Sequence, residues 1–203
     1  STIGFKTNKF NKFISEKIIE NDRNIFVKLD KIKFKFDIKE LNLFLETNNP
    51  QLTYKNLKIP TEDVKVYLDF VSLIKSKPKI DKLDISSKEI SINQLKKIII
   101  KTKPSSFNSL ITNKVKNGKF IANLELYFDE NLDIKNFIAR GEVKEMDGII
   151  NDNFTLKNTT FNFFADNADV LITNVKSNTQ GFSIKDGNLK ITRNKIIKIN
   201  SDF

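Results

Sequence analysis

The sequence predicts a mainly β protein: an elongated, twisted antiparallel sheet forming a groove, with short amphipathic helices near the N-terminus and in mid-chain. Three observations carry this. Apolar residues recur at every second position through most of the 203 residues, the period of a strand with one covered face. Clusters of Asn, Asp and Gly interrupt the alternation every 8–12 residues or so, the spacing of consecutive short strands. The 3.6-residue period of a helix is confined to a few short stretches. With 39% hydrophobic residues, 18 of them Phe, the chain carries enough large apolar groups to fold rather than stay disordered.

The elements follow in order. Residues 8–20 place Phe10, Phe13, Ile14 and Ile18 on one stripe of a short helix, which Asn21 ends. The period then becomes two: Ile25, Val27, Leu29; after a slip of one residue Ile32, Phe34, Phe36, Ile38; after another Leu41, Leu43, Leu45. A slip of one residue moves a strand's apolar set to the other face unless a bulge or turn absorbs it. Asn48-Asn49-Pro50 is a turn, and a strand pair is expected around Leu52–Ile59 and Val64–Phe70. Val71–Ile74 runs on to Lys77-Pro78, and short strands are expected near Ile80–Ile85 and Glu89–Asn93. Gln94–Lys101 reads as a helix with Leu95, Ile98 and Ile99 on one side, ended by Pro104, and residues 106–113 add a further turn or two.

From Asn117-Gly118, read as a hairpin turn, the chain looks like a meander. Phe120, Ala122, Leu124, Leu126 and Phe128 alternate, Asp129-Glu130-Asn131 turns, and Leu132, Ile134, Phe137, Ala139 and Val143 return with one slip. Asp147-Gly148, Asn151-Asp152-Asn153, Asp166-Asn167, Gln180-Gly181 and Asp186-Gly187-Asn188 then separate short strands at Phe154–Leu156, Thr160–Phe164, Val170–Asn174, Phe182–Ile184 and Leu189–Ile191. This divides the chain into an N-terminal strand-and-helix portion, 1–116, and a meander, 117–203, within one continuous module.

Composition removes most chemistry. The chain has no His and no Cys, so imidazole acid/base catalysis, a thiol nucleophile, disulfides and Cys/His metal sites are all excluded. The remaining carboxylate groupings, Asp129/Glu130, Glu142/Glu145/Asp147 and Asp166/Asp169, fall in turns or on the polar phase of strands. Asp152/Asn153 and Asp186/Gly187/Asn188 lack Ca²⁺-loop spacing and read as Asx turns. No glycine-rich phosphate loop occurs. We therefore expect no enzyme, no metal site and no cofactor.

The net charge of +10 lies almost wholly in residues 1–104 and is diffuse. Nucleic-acid binding is disfavoured: the chain has three Arg, Arg23, Arg140 and Arg193, and most Phe fall on the apolar phase of their strands, whereas single-strand binders expose aromatics beside Arg. Scattered Lys suits an anionic membrane surface better. No run of about 18 apolar residues is present to span a bilayer, and no signal peptide is evident. The opening Ser1-Thr2 without Met and the stop after a strand-like segment are read as marks of a piece of a longer chain.

Short connections allow hairpins to lie side by side, leaving one apolar wall that wants a guest; a closed sandwich with the same alternation is the alternative. The wall is expected to be lined by Phe120, Leu124, Leu126, Phe128, Ile134, Phe137 and Val170, with helix 8–20 or 94–101 covering one end.

Five stretches resemble the AsmA-like proteins, the group that includes TamB and YhdP and is related in architecture to chorein-type bridge lipid-transfer proteins. They are Phe44–Pro50, Leu57–Pro60, Val64–Ile74, Pro78–Ile85 and Leu132–Val143, the last with a Gly after an apolar-rich strand. The resemblance covers residues 10–200 in pattern and departs in lacking the family's upstream transmembrane helix. It implies a non-enzymatic module that carries phospholipid acyl chains along a β-groove between inner and outer membranes of a Gram-negative cell. It further implies a periplasmic position, anchored to the inner membrane by a segment outside this chain, with other envelope proteins as partners. The alternative is a structural or interaction β-domain with a closed core and no lipid.

Overall fold

The computed structural model describes residues 2–7, 15–16, 25–28, 32–37, 42–69, 79–102, 104–131, 133–193 and 197–202. The order of elements is β1 (Thr2–Thr7), β2 (Ile25–Lys28), β3 (Ile32–Asp37), β4 (Asn42–Asn48), β5 (Gln51–Tyr54), β6 (Leu57–Ile59), β7 (Thr61–Leu68), β8 (Ile80–Ser87) and β9 (Ile90–Ser91), then α1 (Ile92–Ile100) and α2 (Ser106–Lys114). The chain goes on through β10 (Val115–Phe128), β11 (Ile134–Asn151), β12 (Phe154–Ala165), β13 (Asp169–Asn178), β14 (Ser183–Arg193) and β15 (Ile197–Asp202). The fold is mainly β, as the alternation predicts. A large antiparallel sheet runs β1-β3-β4-β7-β8-β10-β11-β12-β13-β14-β15, with β9 on β10, and does not close into a barrel. A second sheet, β2-β5-β6, has three strands. Of the expected helix 8–20, Ser15 and Glu16 are helical and Phe10, Phe13, Ile14 and Ile18 lie outside the described residues, as do Phe70–Pro78.

Two compact units divide the chain: residues 1–88 with 123–137, and residues 89–122 with 138–203. The boundary expected at 116/117 falls inside β10.

In the first unit the phase slips are absorbed by turns, so one face stays apolar across the strands. Phe34, Leu45, Val66, Leu83 and Leu126 stand opposite one another in successive strands, as do Ile32, Thr47, Val64, Ile85 and Leu124. The other face is a ladder of charge and aromatic rings. Glu46 takes ion pairs from Lys35 (2.6 Å) and Lys65 (3.9 Å), and the Lys82 ammonium lies 4.1 Å from the Tyr67 ring centre. Such cross-strand pairs each add a few tenths of a kcal/mol to about 1 kcal/mol.

The strand pair expected at Leu52–Ile59 and Val64–Phe70 is corrected. Leu52–Ile59 is itself a hairpin, β5-β6, turning at Lys55 and Asn56, both at positive φ (47° and 65°). It pairs with β2 as a separate layer, while β7 pairs with β4 and β8. Leu52 joins Ile32, Leu45, Val64, Val66, Leu68, Ile80 and Leu83 in one buried cluster, with Ile59 packed against it. The small sheet therefore covers the large sheet's apolar face in this unit.

In the second unit α1 opens with a capping box: the Ser91 hydroxyl accepts from the Gln94 backbone N–H, and the Gln94 side chain accepts from the Ser91 N–H. The helix buries Ile92 and Ile99 and leaves Ile100 exposed. Three expected turns are not turns. Asn117-Gly118 lies within β10, Asp147-Gly148 within β11, and Asp186-Gly187-Asn188 within β14, so β14 is one strand where two were expected; β12 likewise joins the strands expected at Phe154–Leu156 and Thr160–Phe164. Gly118, at φ +142°, brings β10 against the Met146 backbone; a Cβ there would stand 3.3 Å from the Met146 Cα.

The physical reason is a row of bulges. From Val143 to Met146 the chain takes one step more than its partner takes from Phe161 to Thr159. From Met146 to Gly148 the surplus passes to β12, then to β13 and β14 in turn. Glu145, Asn158 and Asn174 sit at the bulges with positive φ (53°, 48° and 56°). A bulge and a hairpin turn both need a residue that tolerates positive φ, so the same Asn, Asp and Gly signals serve either. Because each strand carries its own surplus residue, the register recovers and the apolar phase stays on one face.

Candidate functional site

The candidate site is the apolar face of the second unit's sheet, built from the register upward. Ala139, Ala165, Val170 and Ile191 stand opposite one another across β11–β14, and Gly141, Phe163, Ile172 and Leu189 form the adjacent row. Val143 faces Phe161 in a third. Every one of these residues is half-buried, neither sealed nor free. The alternating positions form the opposite face: Arg140, Phe164, Leu171 and Lys190 in one row, Glu142, Asn162 and Thr173 in the next.

Aromatic packing stiffens the face. Phe120 of β10 stacks on Phe163 at 5.3 Å with the rings 9° apart. Gly141 is required where Phe163 crosses it: a Cβ would lie 2.8 Å from the Phe163 ring and 2.0 Å from the Ile121 carbonyl oxygen. The ring thus covers a position that no side chain can fill.

Of the seven residues expected to line the wall, Phe120 and Val170 belong to the second unit, and Leu124, Leu126, Phe128, Ile134 and Phe137 to the first. Phe120, Leu124, Leu126 and Phe128 share one alternation phase of β10, with Leu124 opposite Ile85 and Leu126 opposite Leu83. Leu126 and Phe128 pack against the first unit's buried cluster, so they border a closed core. Ile134 is 57% exposed, and Phe137 and Val170 are half-buried. Sequence reasoning missed Phe161, Phe163, Ile172, Leu189 and Ile191 as members of the face. The phase slips at 143–146, 156–161, 172–175 and 184–187 were the available signal.

Five of the carboxylates, Asp129, Glu145, Asp147, Asp166 and Asp169, bond to neighbouring strands or turns. Asp147 joins three strands: Oδ1 accepts the backbone N–H of Asn158 in β12 (3.0 Å) and Oδ2 the side-chain amide of Asn117 in β10 (3.1 Å). These bonds, the backbone one foremost, hold its carboxyl below the usual carboxylate range. Asn188 does the corresponding work one bulge further on, accepting the N–H of Asn174 (3.4 Å). Lys190 bonds Asp169 (2.9 Å) and lowers its pKa; Glu145 bonds Lys119 (3.2 Å) and raises the ammonium's. Asp129 and Asp166 accept backbone N–H groups in Asx turns. Among the described residues no group of carboxylates is arranged to hold a metal ion, and no helix is long and apolar enough to cross a membrane.

No protein-family model, no curated protein and no solved structure matches this chain.

Proposed function

We propose that the chain is a lipid-transfer module of the AsmA-like kind, non-enzymatic, holding phospholipid acyl chains against the apolar face of the second unit. The observation that carries this reading is the pair of rows from Ala139 to Ile191 and from Gly141 to Leu189, apolar across four strands yet half-buried throughout. A fully buried methylene gains about 0.8 kcal/mol, so an acyl chain that covers even half of its surface against this face still gains several kcal/mol over its length. In this reading the module works in the periplasm between inner and outer membranes, anchored by a segment outside this chain. Phospholipids are its ligands, the diffuse Lys of the N-terminal half meets anionic lipid surfaces, and other envelope proteins are its neighbours.

The test is phospholipid carried through purification, extracted and identified by mass spectrometry, for the parent and for Val170→Asp. A carboxylate on the face would have to lose its water when a chain lies over it, at a cost of several kcal/mol. The variant is expected to keep its fold and lose its lipid. A parent that carries no lipid contradicts the reading.

The closed first unit favours a second reading, an interaction domain with no ligand. That reading requires a protein partner over the second unit's face, and it expects Val170→Asp to abolish protein association with no lipid ever present.

A further inference from the structure

The bulged stretch of the same sheet carries a depression of about 420 Å³, and we infer that it binds a small phosphate monoester bearing hydroxyl groups. It lies where the bulges of β13 and β14 bend the sheet, and its lining includes Thr160, Asn162, Asn174, Lys176, Lys185 and Asp186. Bulges re-aim side chains: Asn174 is itself the positive-φ residue of β13, and Lys185 and Asp186 fall in the stretch where β14 takes its surplus residue.

The charges there differ from those around them. On the same sheet Lys119 pairs with Glu145, Lys144 with Glu142 and Lys190 with Asp169. Lys176 and Lys185 have no acidic partner among the described residues, although both line one hollow. Glu142 also borders the hollow, but Lys144 already answers it at 3.0 Å. Two ammonium groups that make no ion pair among the described residues, in a hollow lined also by the Asp186 carboxylate, suit a phosphate dianion as charge-assisted donors. The Asp186 carboxylate, the Asn162 amide and the Thr160 hydroxyl supply acceptors for a ligand's own hydroxyls. Phe161 also lines the hollow, but the two ammonium groups that would hold the phosphate, Lys176 and Lys185, lie outside the rows around Phe163, so loss of phosphate binding would leave the lipid reading untouched.

Two sources carry this chemistry: a soluble polyol phosphate and the headgroup of a phosphatidylinositol monophosphate, a phosphate monoester on a ring of free hydroxyls. Backbone amide resonances of the isotope-labelled full chain are followed during titration with glycerol 3-phosphate, with glycerol, with sodium chloride of matched ionic strength, and with vesicles containing phosphatidylinositol 4-phosphate. Saturable shifts at Thr160, Asn162, Lys176 and Lys185 with glycerol 3-phosphate, at a Kd on the order of 1 mM, are expected and identify a soluble ligand. The same residues responding to the vesicles alone identify the headgroup. Lys176→Gln/Lys185→Gln is expected to weaken binding at least tenfold, and Lys96→Gln/Lys97→Gln on α1 to leave it unchanged. No saturable response to either phosphate, an equal response to chloride, or equal loss in both double variants would overturn the site.

Discussion

The two units build their apolar faces by the same rule and cover them differently. In the first, Leu45, Val66 and Leu83 stand in one cross-strand row and are 1%, 2% and 8% exposed. In the second, Ala165, Val170 and Ile191 form a row of the same design and remain half-buried. The difference comes from another layer: the eleven residues of β2, β5 and β6 bring Leu52 and Ile59 over the first unit's face. Alternation therefore says which side of a sheet is apolar. Whether that side is core or surface depends on a small, separate piece of chain.

The largest expected effect lies in the first unit. Leu45→Ala removes a side chain from the centre of the buried cluster and should cost about 2–5 kcal/mol in denaturant unfolding. Ile172→Ala, the matching change in the second unit, should cost about 1 kcal/mol, because its side chain gives up less burial. Equal losses at the two sites would erase the distinction. Leu126→Asp belongs with the first unit: it puts a carboxylate against the closed cluster and is expected to prevent folding, seen as loss of soluble protein.

Next comes Gly141→Ala. The new methyl meets a backbone carbonyl, which cannot swing aside as a side-chain end can, so a loss of about 3 kcal/mol is expected, at the upper end for overpacking. Thermal unfolding of the variant checks it, and an unchanged midpoint would mean that β10 and β11 are less closely apposed than described.

The smallest effect is at the bulge clamp. Asp147 has a folded pKa below its ordinary value near 3.8, so its stabilisation is fully present above the unfolded pKa. That stabilisation is lost as pH falls through the lower, folded one. Asp147→Asn should cost about 1 kcal/mol or less at pH 7, the clamp being solvent-exposed, and should flatten the fall in stability below about pH 4. A variant whose acid limb parallels that of the parent would remove Asp147 from the account.

Much of this was legible in residue order. The alternation from Phe120 to Phe128 and the turns at Asp129–Asn131, Asn151–Asn153, Asp166-Asn167 and Gln180-Gly181 stand where the pattern puts them. Short connections correctly foretold that β10 to β15 pair with their chain neighbours. The bulges were not legible as bulges, because Asp147-Gly148 and Asp186-Gly187-Asn188 carry the residues of a turn while the partner strand, which decides between turn and bulge, is distant in sequence. The β5-β6 hairpin was hidden because Lys55 occupies a positive-φ position where Asn or Gly is the usual signal. The covering of Leu45 and Val66 was illegible for a deeper reason. It depends on where β2-β5-β6 docks, and no local pattern records a docking partner. Phe120 and Val170 were named for the wall, whereas Phe161 and Phe163 in the expected strand Thr160–Phe164, and Leu189 and Ile191 in Leu189–Ile191, were placed in strands but not assigned to it, because the cross-strand register that aligns them is not recorded in any one strand.

The central claim is that the second unit's apolar face is the one that meets lipid. A phospholipid with a photoreactive group midway along one acyl chain, incubated with the full chain and irradiated, tests it by mapping the crosslinked peptides. Adducts are expected on β12 and β13, around Phe161, Phe163, Val170 and Ile172, and not on Leu45, Val64 or Val66 under the small sheet. Crosslinks confined to the first unit, or no adduct above that of an unrelated β protein, would contradict it.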